Sequence, residues 1–208
     1  MNAFDRVMAV NIDSRPQHSR SNALRASQPT LLVAGRVITT SRDAMVAEWT
    51  QRLGDRLAAS PTVGRDHVVR QFGLLVELIG GTVGAYRREV MPLWTRAMDL
   101  CGRTASLRGL AAGEVVDELQ HLREILTIHL APELTRMRPR QAMAVMLRLH
   151  RNFDRGLATA VVGYTDALVA TLFAQNGVPA SDAQQDVADI ERQTEALGEE
   201  LSYVTRRH

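Results

Sequence analysis

The sequence predicts an all-α fold, and three observations support this. From Ser41 onward apolar residues recur at intervals of three and four, which is the period of an amphipathic helix. The breaks between these stretches contain Pro and Gly, the usual residues at helix ends. Aromatic residues make up only 4% of the 208 residues, which disfavours an aromatic-rich β-sandwich, whereas the 45% hydrophobic fraction is enough for a core. We therefore expect one helical domain with appendages.

Residues 1–42 are predicted to form a mobile N-terminal arm. They hold six Arg against Asp5 and Asp13, a net charge of +4 (6 − 2), so that the rest of this +2 chain carries −2. One apolar segment, residues 31–38, is expected to pair as a short strand. The alternatives for the arm are a weakly ordered tail or a segment that docks on a partner subunit.

The first three helices are expected at about 43–59, 64–81 and 85–103. The first has an N-capping Ser or Asp and ends before a Ser-Pro pair, and the second is expected to end at the pair Gly80-Gly81. Pro92 either kinks the third helix or marks its true start.

The fourth helix is predicted over 114–130 with Pro132 closing it, and the fifth, the longest, over 139–175. Apolar residues of the fifth helix follow a near-heptad rhythm that we expect to face the core. Each Gly inside a helix costs about 1 kcal/mol relative to Ala, so a row of small residues predicts a close helix contact, within the domain or across a dimer. We call this row the small-residue stripe: Gly156, Ala160, Gly163 and Ala167.

The last segment, 180–208, differs in character because Asp, Glu and Gln occupy most of its positions between regularly spaced apolar residues. The spacing of three and four predicts a parallel two-stranded coiled coil; the alternative is an ordinary amphipathic helix docked on the domain. The coiled-coil pattern and the small-residue stripe of the fifth helix together predict a homodimer interface. Its residues are Phe153, Gly156, Ala160, Gly163, Ala167, Val187, Ile190, Thr194, Leu197 and Leu201.

Three helical segments carry a resemblance to a known family: residues 49–53 (WTQRL), 118–126 (ELQHLREIL) and 147–157 (LRLHRNFDRGL), the last followed by Tyr164. With them the chain resembles, over residues 48–175, the N-terminal sensor domain of RsbR-type co-antagonist proteins of the stressosome.

The resemblance implies a globin-like fold without haem, dimerisation through the long C-terminal helices, and a connecting helix that carries a signal to an output domain. We accordingly expect a sensor domain at 43–176 and a signalling helix at 180–208. No kinase, phosphatase or STAS domain occurs before His208, so the output domain is expected to be absent or to lie outside this chain.

Composition excludes several chemistries. All 25 basic residues are Arg, which removes P-loop and Schiff-base lysines. The lone Cys101, expected to be an inert packing residue, excludes an intrachain disulfide and a Cys-rich zinc site. The nearly balanced charge argues against nucleic-acid binding. No run approaches the roughly 20 apolar residues of a membrane span and no signal peptide is evident, so a soluble cytoplasmic protein is predicted.

The polar candidates are mostly interpreted as structural. His121 and His129 are eight residues apart, about 12 Å along a helix, too far to share one metal ion. His150 is expected to be a buried imidazole, with a pH-responsive dimer contact or a haem ligand as alternatives. We interpret two sets as solvated faces rather than as an acid/base pair and an anion site: the carboxylates Asp117, Glu118 and Glu124, and the arginines Arg136, Arg138, Arg140, Arg148, Arg151 and Arg155.

The sequence thus predicts a non-enzymatic sensory and dimerisation module of a bacterial signalling or stress-response protein, with no catalytic residue, cofactor or metal. Its expected partners are a second copy and a downstream output domain or regulator, with no nucleic acid or membrane. The alternative is a globin-like protein that binds haem or another small ligand, with His121 or His150 as the axial ligand and a pocket lined by Phe72, Val76, Trp94, Met98 and Met146.

Overall fold

A computed structural model of the chain describes residues 28–57, 62–84, 86–175 and 183–207. Within these residues there are seven α-helices and no strand, which confirms the all-α class. A short 3₁₀ turn, Gly54–Leu57, follows the second helix. The helices are α1 (Gln28–Thr40), α2 (Arg42–Leu53), α3 (Arg65–Val83), α4 (Arg87–Leu107), α5 (Ala112–Arg136), α6 (Pro139–Gln175) and α7 (Ala183–Arg206).

Helix α1 corrects the prediction of an N-terminal arm over residues 1–42. Residues 28–40 are helical and pack mainly on α3, so the domain begins at Gln28 or earlier; the short strand expected at 31–38 is also wrong. Three apolar residues spaced by three and four enter the core: Leu31, Ala34 and Ile38. Residues 1–27 lie outside the described part of the chain.

Glycines let α1 and α3 approach closely. A Cβ on Gly35 would stand 2.8 Å from the carbonyl oxygen of Gly80 and 2.9 Å from Cα of Gly84, distances that real side chains do not reach. The pair Gly80-Gly81 was predicted to end α3, but the helix continues to Val83. These glycines permit a helix crossing rather than stop a helix, because the missing side chains admit the neighbouring backbone.

The prolines of α4 and α5 lie inside their helices. Helix α4 begins at Arg87, so Pro92 does not mark its start, and α5 continues past Pro132 to Arg136. Both proline rings are exposed, so water can reach the carbonyl groups that lose their helical partners. By contrast, α6 has the predicted bounds, Pro139–Gln175.

Helix α6 packs most extensively on α4, and the two helices run in the same direction. Trp94 on α4 lies against Gly156, and Asp99, further along α4, lies against Gly163. Three residues after Asp99, a Cβ on Gly102 would overlap the carbonyl oxygen of Ala160. The small-residue stripe is therefore a helix contact within the domain, which was one of the two predicted alternatives.

Candidate functional site

Helix α7 is docked on α3 and α4 of its own chain. Its buried positions are the ones that the coiled-coil pattern singled out: Ile190, Thr194, Leu197 and Leu201. These side chains are buried against their own chain in this arrangement, and their assignment to a dimer interface stays a prediction. The alternative, an amphipathic helix docked on the domain, is what the structure contains; Val187 at its edge is half-buried.

Polar contacts fasten both ends of α7. Arg96 on α4 makes a two-pronged ion pair with Glu200, at 2.9 and 3.0 Å, on the exposed side. Near the other end, Glu191 lies 3.6 Å from Nδ1 of His67 and 3.9 Å from Arg70. Inside the contact, the hydroxyl of Thr194 donates to the carbonyl oxygen of Ile190 at 2.8 Å, so this buried hydroxyl is satisfied by its own helix.

The α3 side of α7 is loosely packed. A cleft of about 390 Å³ lies between α1, α3 and α7, and a second of about 530 Å³ lies between α3 and α7. Glu77 and Ser202 line both clefts, which therefore adjoin along the same helix boundary. A third cleft, of about 270 Å³, lies between α4, α6 and α7. Helix α7 nevertheless contacts α4 more extensively than it contacts α3.

His67 is the buried titratable group of this contact, and sequence reasoning missed it. It is the third residue of α3 and only 3% exposed, and burial lowers the pKa of its imidazole, with Glu191 opposing that effect. Its position within the apolar first turns of α3 was the one available signal. Its carboxylate partner lies 124 residues further along the chain (191 − 67) and is not detectable by local pattern.

The α6 half of the predicted dimer interface also faces inward. Phe153, Gly156, Ala160 and Gly163 are buried toward α4 of the same chain, and Ala167 is half-buried, so their assignment to a dimer contact stays a prediction. The near-heptad rhythm predicted for this helix also includes Val161, Leu168 and Leu172, and these three side chains are exposed. Contact with α4 requires small residues, and this rotates the bulkier apolar residues outward.

These outward residues form what we call the outer face of α6, on the side of the helix opposite α4. Its members are 36–58% exposed although all are large and apolar: Val161, Val162, Leu168, Val169, Leu172 and Phe173. Exposed apolar residues that are contiguous on one helix mark an interaction surface more often than scattered ones do.

The pocket of the haem-binding alternative is filled by core packing. Phe72, Val76, Trp94 and Met98 are at most 2% exposed. The ring of Phe72 stacks on Trp49 with centroids 3.3 Å apart. His121 and His150 are half-buried at the edge of this core rather than at its centre.

His129 belongs to a polar network that joins α2 to α5. Its Nε2 lies 3.1 Å from Glu48, whose carboxylate also pairs with Arg52 at 2.7 Å. The hydrogen bond from His129 is the main reason that the pKa of Glu48 is lowered. Arg52 in turn binds Glu124 at 3.0 Å, so this carboxylate is an exposed ion-pair partner, in keeping with a solvated face.

Glu118 departs from the predicted solvated face. It is buried and makes a two-pronged ion pair with Arg108, at 2.8 and 2.9 Å. The pair ties α5 to the connection after α4, and the backbone oxygen of Glu118 also accepts a hydrogen bond from the indole of Trp49. A carboxylate held in this way is structural, since both its oxygens are already occupied by Arg108.

Cys101 is buried, as expected for a packing residue, and burial raises the pKa of its thiol to about 12. Among the described residues, no group of three or more His, Cys, Asp or Glu side chains is arranged to hold a metal ion. The predicted basic face is divided: Arg136 pairs with Glu133, whereas Arg148 is half-buried, and burial lowers the pKa of its guanidinium.

Helix α6 is also long and apolar enough, over Pro139–Phe173, to cross a membrane by length and composition alone. The most apolar 18-residue window of this helix has a mean hydropathy of 1.5 and is 22% buried, and one such helix is weak evidence for a membrane span. The predicted soluble character therefore stays a prediction.

No family model, curated protein or solved structure matches this chain. The function is accordingly argued from the geometry.

Proposed function

We propose that the chain is a non-enzymatic sensory and dimerisation module, in which two copies pair through the outer face of α6 and α7 passes a change of state to an output domain or regulator. The observation that carries the proposal is the outer face itself. The resemblance to RsbR-type sensor domains also implies a dimeric module with a signalling helix. The dimer surface proposed here, the outer face of α6, differs from the surface predicted from sequence.

The area of the outer face suits a self-pairing surface. Six large side chains about half exposed amount to roughly 400–500 Å² on one copy, within the range of the largest apolar patch of a typical monomer. Pairing two such faces about a two-fold axis would remove about twice that area, close to the roughly 1,000 Å² that a specific interface requires.

A lipid bilayer fits the same face less well. From Val161 to Phe173 the helix rises about 18 Å, whereas a hydrocarbon core is about 30 Å thick. Arg151 and Arg155 are exposed 11 and 7 residues before Val162, on the same side of α6, so an inserted helix would carry both guanidinium groups into lipid.

Helix α7 is suited to relay a signal because it contacts α4 extensively but contacts α3 only slightly. Leu197 and Leu201 are buried, while the two clefts separate part of α7 from α3. A helix that signals must have two arrangements within a few kcal/mol of each other, and partial packing keeps the docked state from being too stable to leave.

The dimer is tested by light scattering on the purified chain. We expect the parent to have twice the 23.0 kDa chain mass and the variant Leu172→Glu to be a monomer, since the charge would be buried without a partner. Ile128→Glu on α5 is the matched control, because Ile128 and Leu172 are 48% and 50% exposed, and it should remain dimeric. A parent that is monomeric at micromolar concentrations contradicts the proposed function.

The relay is tested by fusing residues 1–208 to a reporter kinase. We expect Leu197→Asp, which undocks α7, and Thr194→Val, which strengthens its docking, to move kinase output in opposite directions. Output that responds to neither variant removes α7 from the proposal.

A further inference from the structure

We propose that His67 and Glu191 form an acid-sensitive latch between α3 and α7, and that a proton on His67 releases α7. The idea that the latch feeds a signal into the relay rests on the proposed function. The docking of α7 on α3 within one chain does not depend on that function.

The geometry suits a neutral imidazole and not a protonated one. His67 is 3% exposed, and its Nε2 is buried with no hydrogen-bond partner among the residues that the structure describes. Its Nδ1 lies 3.6 Å from Oε1 of Glu191, which is beyond hydrogen-bond distance. A neutral ring can leave one nitrogen unpaired at modest cost, but an imidazolium has two N–H donors and a charge, and here one donor would remain buried and unsatisfied.

The charges around His67 do not compensate for its burial. Helix α7 contributes Glu191 and Glu195, which favour the protonated ring, while Arg70 on α3 disfavours it. Burial is the largest influence, and the pKa of His67 is lowered from its ordinary value of 6.5. Glu191 is itself shared with Arg70, at 3.9 Å, which weakens its hold on the imidazole.

Protonation of His67 favours the released state of α7. When α7 leaves α3, His67 becomes solvated and its pKa returns to about 6.5. The released state therefore binds a proton more tightly than the docked state, so docking is strongest above pH 6.5 and weakens as the pH falls below that value. The effect is largest when the imidazole of His67 takes up no proton while α7 is docked. In that limit the ratio of released to docked α7 increases by about 30-fold between pH 7.5 and pH 5.

Helix α7 is the element that gives way because the latch lies at its thinly packed boundary. Glu191 follows Ile190, the first buried residue of α7, and the cleft between α3 and α7 begins one turn later at Thr194 and Glu195. Separation of α7 from α3 thus exposes His67 without opening the α4–α6 contact.

Amide hydrogen exchange on the intact chain tests the latch, because it detects rare opening of one helix. After correction for intrinsic exchange rates, protection of α7 amides should fall by up to about 30-fold from pH 7.5 to pH 5, while α6 amides stay protected. His67→Gln should abolish this dependence, and His150→Gln, which replaces a half-buried histidine outside the α3–α7 contact, should retain it.

Protection of α7 that is independent of pH in the parent, or equally pH-dependent in His67→Gln, overturns the latch. The outcome is separable from the proposed function. A monomeric chain that shows the expected loss of protection supports the latch and contradicts the dimer. A dimeric chain without that loss supports the dimer and contradicts the latch.

Discussion

Replacement of Gly102 by Ala tests the closest contact of the fold. A methyl group at Gly102 would overlap the backbone oxygen of Ala160, so α4 and α6 must separate along their whole contact. Overpacking costs about 1–3 kcal/mol, and here the upper value applies because the obstacle is backbone rather than a movable side chain. The better helix propensity of Ala returns about 1 kcal/mol, which leaves a net loss of about 2 kcal/mol.

Thermal unfolding measures this loss. For a chain of this size 1 kcal/mol corresponds to roughly 2–4 °C in Tm, so Gly102→Ala should melt about 4–8 °C below the parent. The matched control is Gly198→Ala in α7, where a Cβ meets no atom within 4 Å. This variant has the propensity gain without the clash, and its Tm should rise by about 1–4 °C. If Gly102→Ala melts at or above the parent temperature, the direct backbone contact of α4 with α6 does not exist.

Three further predictions concern the polar groups. In urea titrations, Glu118→Gln should lose about 3–5 kcal/mol of unfolding free energy, since it leaves Arg108 charged and buried, while the joint change to Glu118→Leu and Arg108→Met should restore most of it; an equal loss in both refutes the buried pair. Cys101 should stay unreactive toward a thiol reagent at pH 8 until the chain unfolds, because its pKa is raised to about 12; rapid labelling of the folded chain would contradict this. The lowered pKa of Glu48 means that its pairing stabilises the fold above pH 4.5 and that this stability is lost as the pH falls through the lower, folded-state pKa. The variant Glu48→Gln should therefore show a smaller loss of Tm than the parent between pH 5 and pH 3, and identical pH profiles would exclude the His129–Glu48 contribution.

The candidate site was only partly predictable. The pattern of α7 identified Ile190, Thr194, Leu197 and Leu201 as contact positions, and they are, but the pattern does not state whether the partner is a second copy or the same chain. A stripe of one or two apolar residues per turn serves equally for a coiled coil and for docking on a domain. His67 gave no signal because its environment is created by Glu191 and Glu195, far along the chain.

The sequence by itself determined the all-α class, the bounds of α6 and the place of Cys101 on an apolar stripe, because helical periodicity is local, but it did not give α1 or the ends of α3 and α5. Only the tertiary structure decided which face each helix buries. Helix α6 carries bulky apolar residues on one side and small ones on the other, and hydrophobicity alone favours burial of the bulky side. The small side is buried because Gly102 on α4 admits the backbone at Ala160, and the helix axes can approach this closely only where both surfaces lack side chains. This match between two helix surfaces depends on both segments, which are far apart in the chain, so the sequence pattern of either helix alone does not show it.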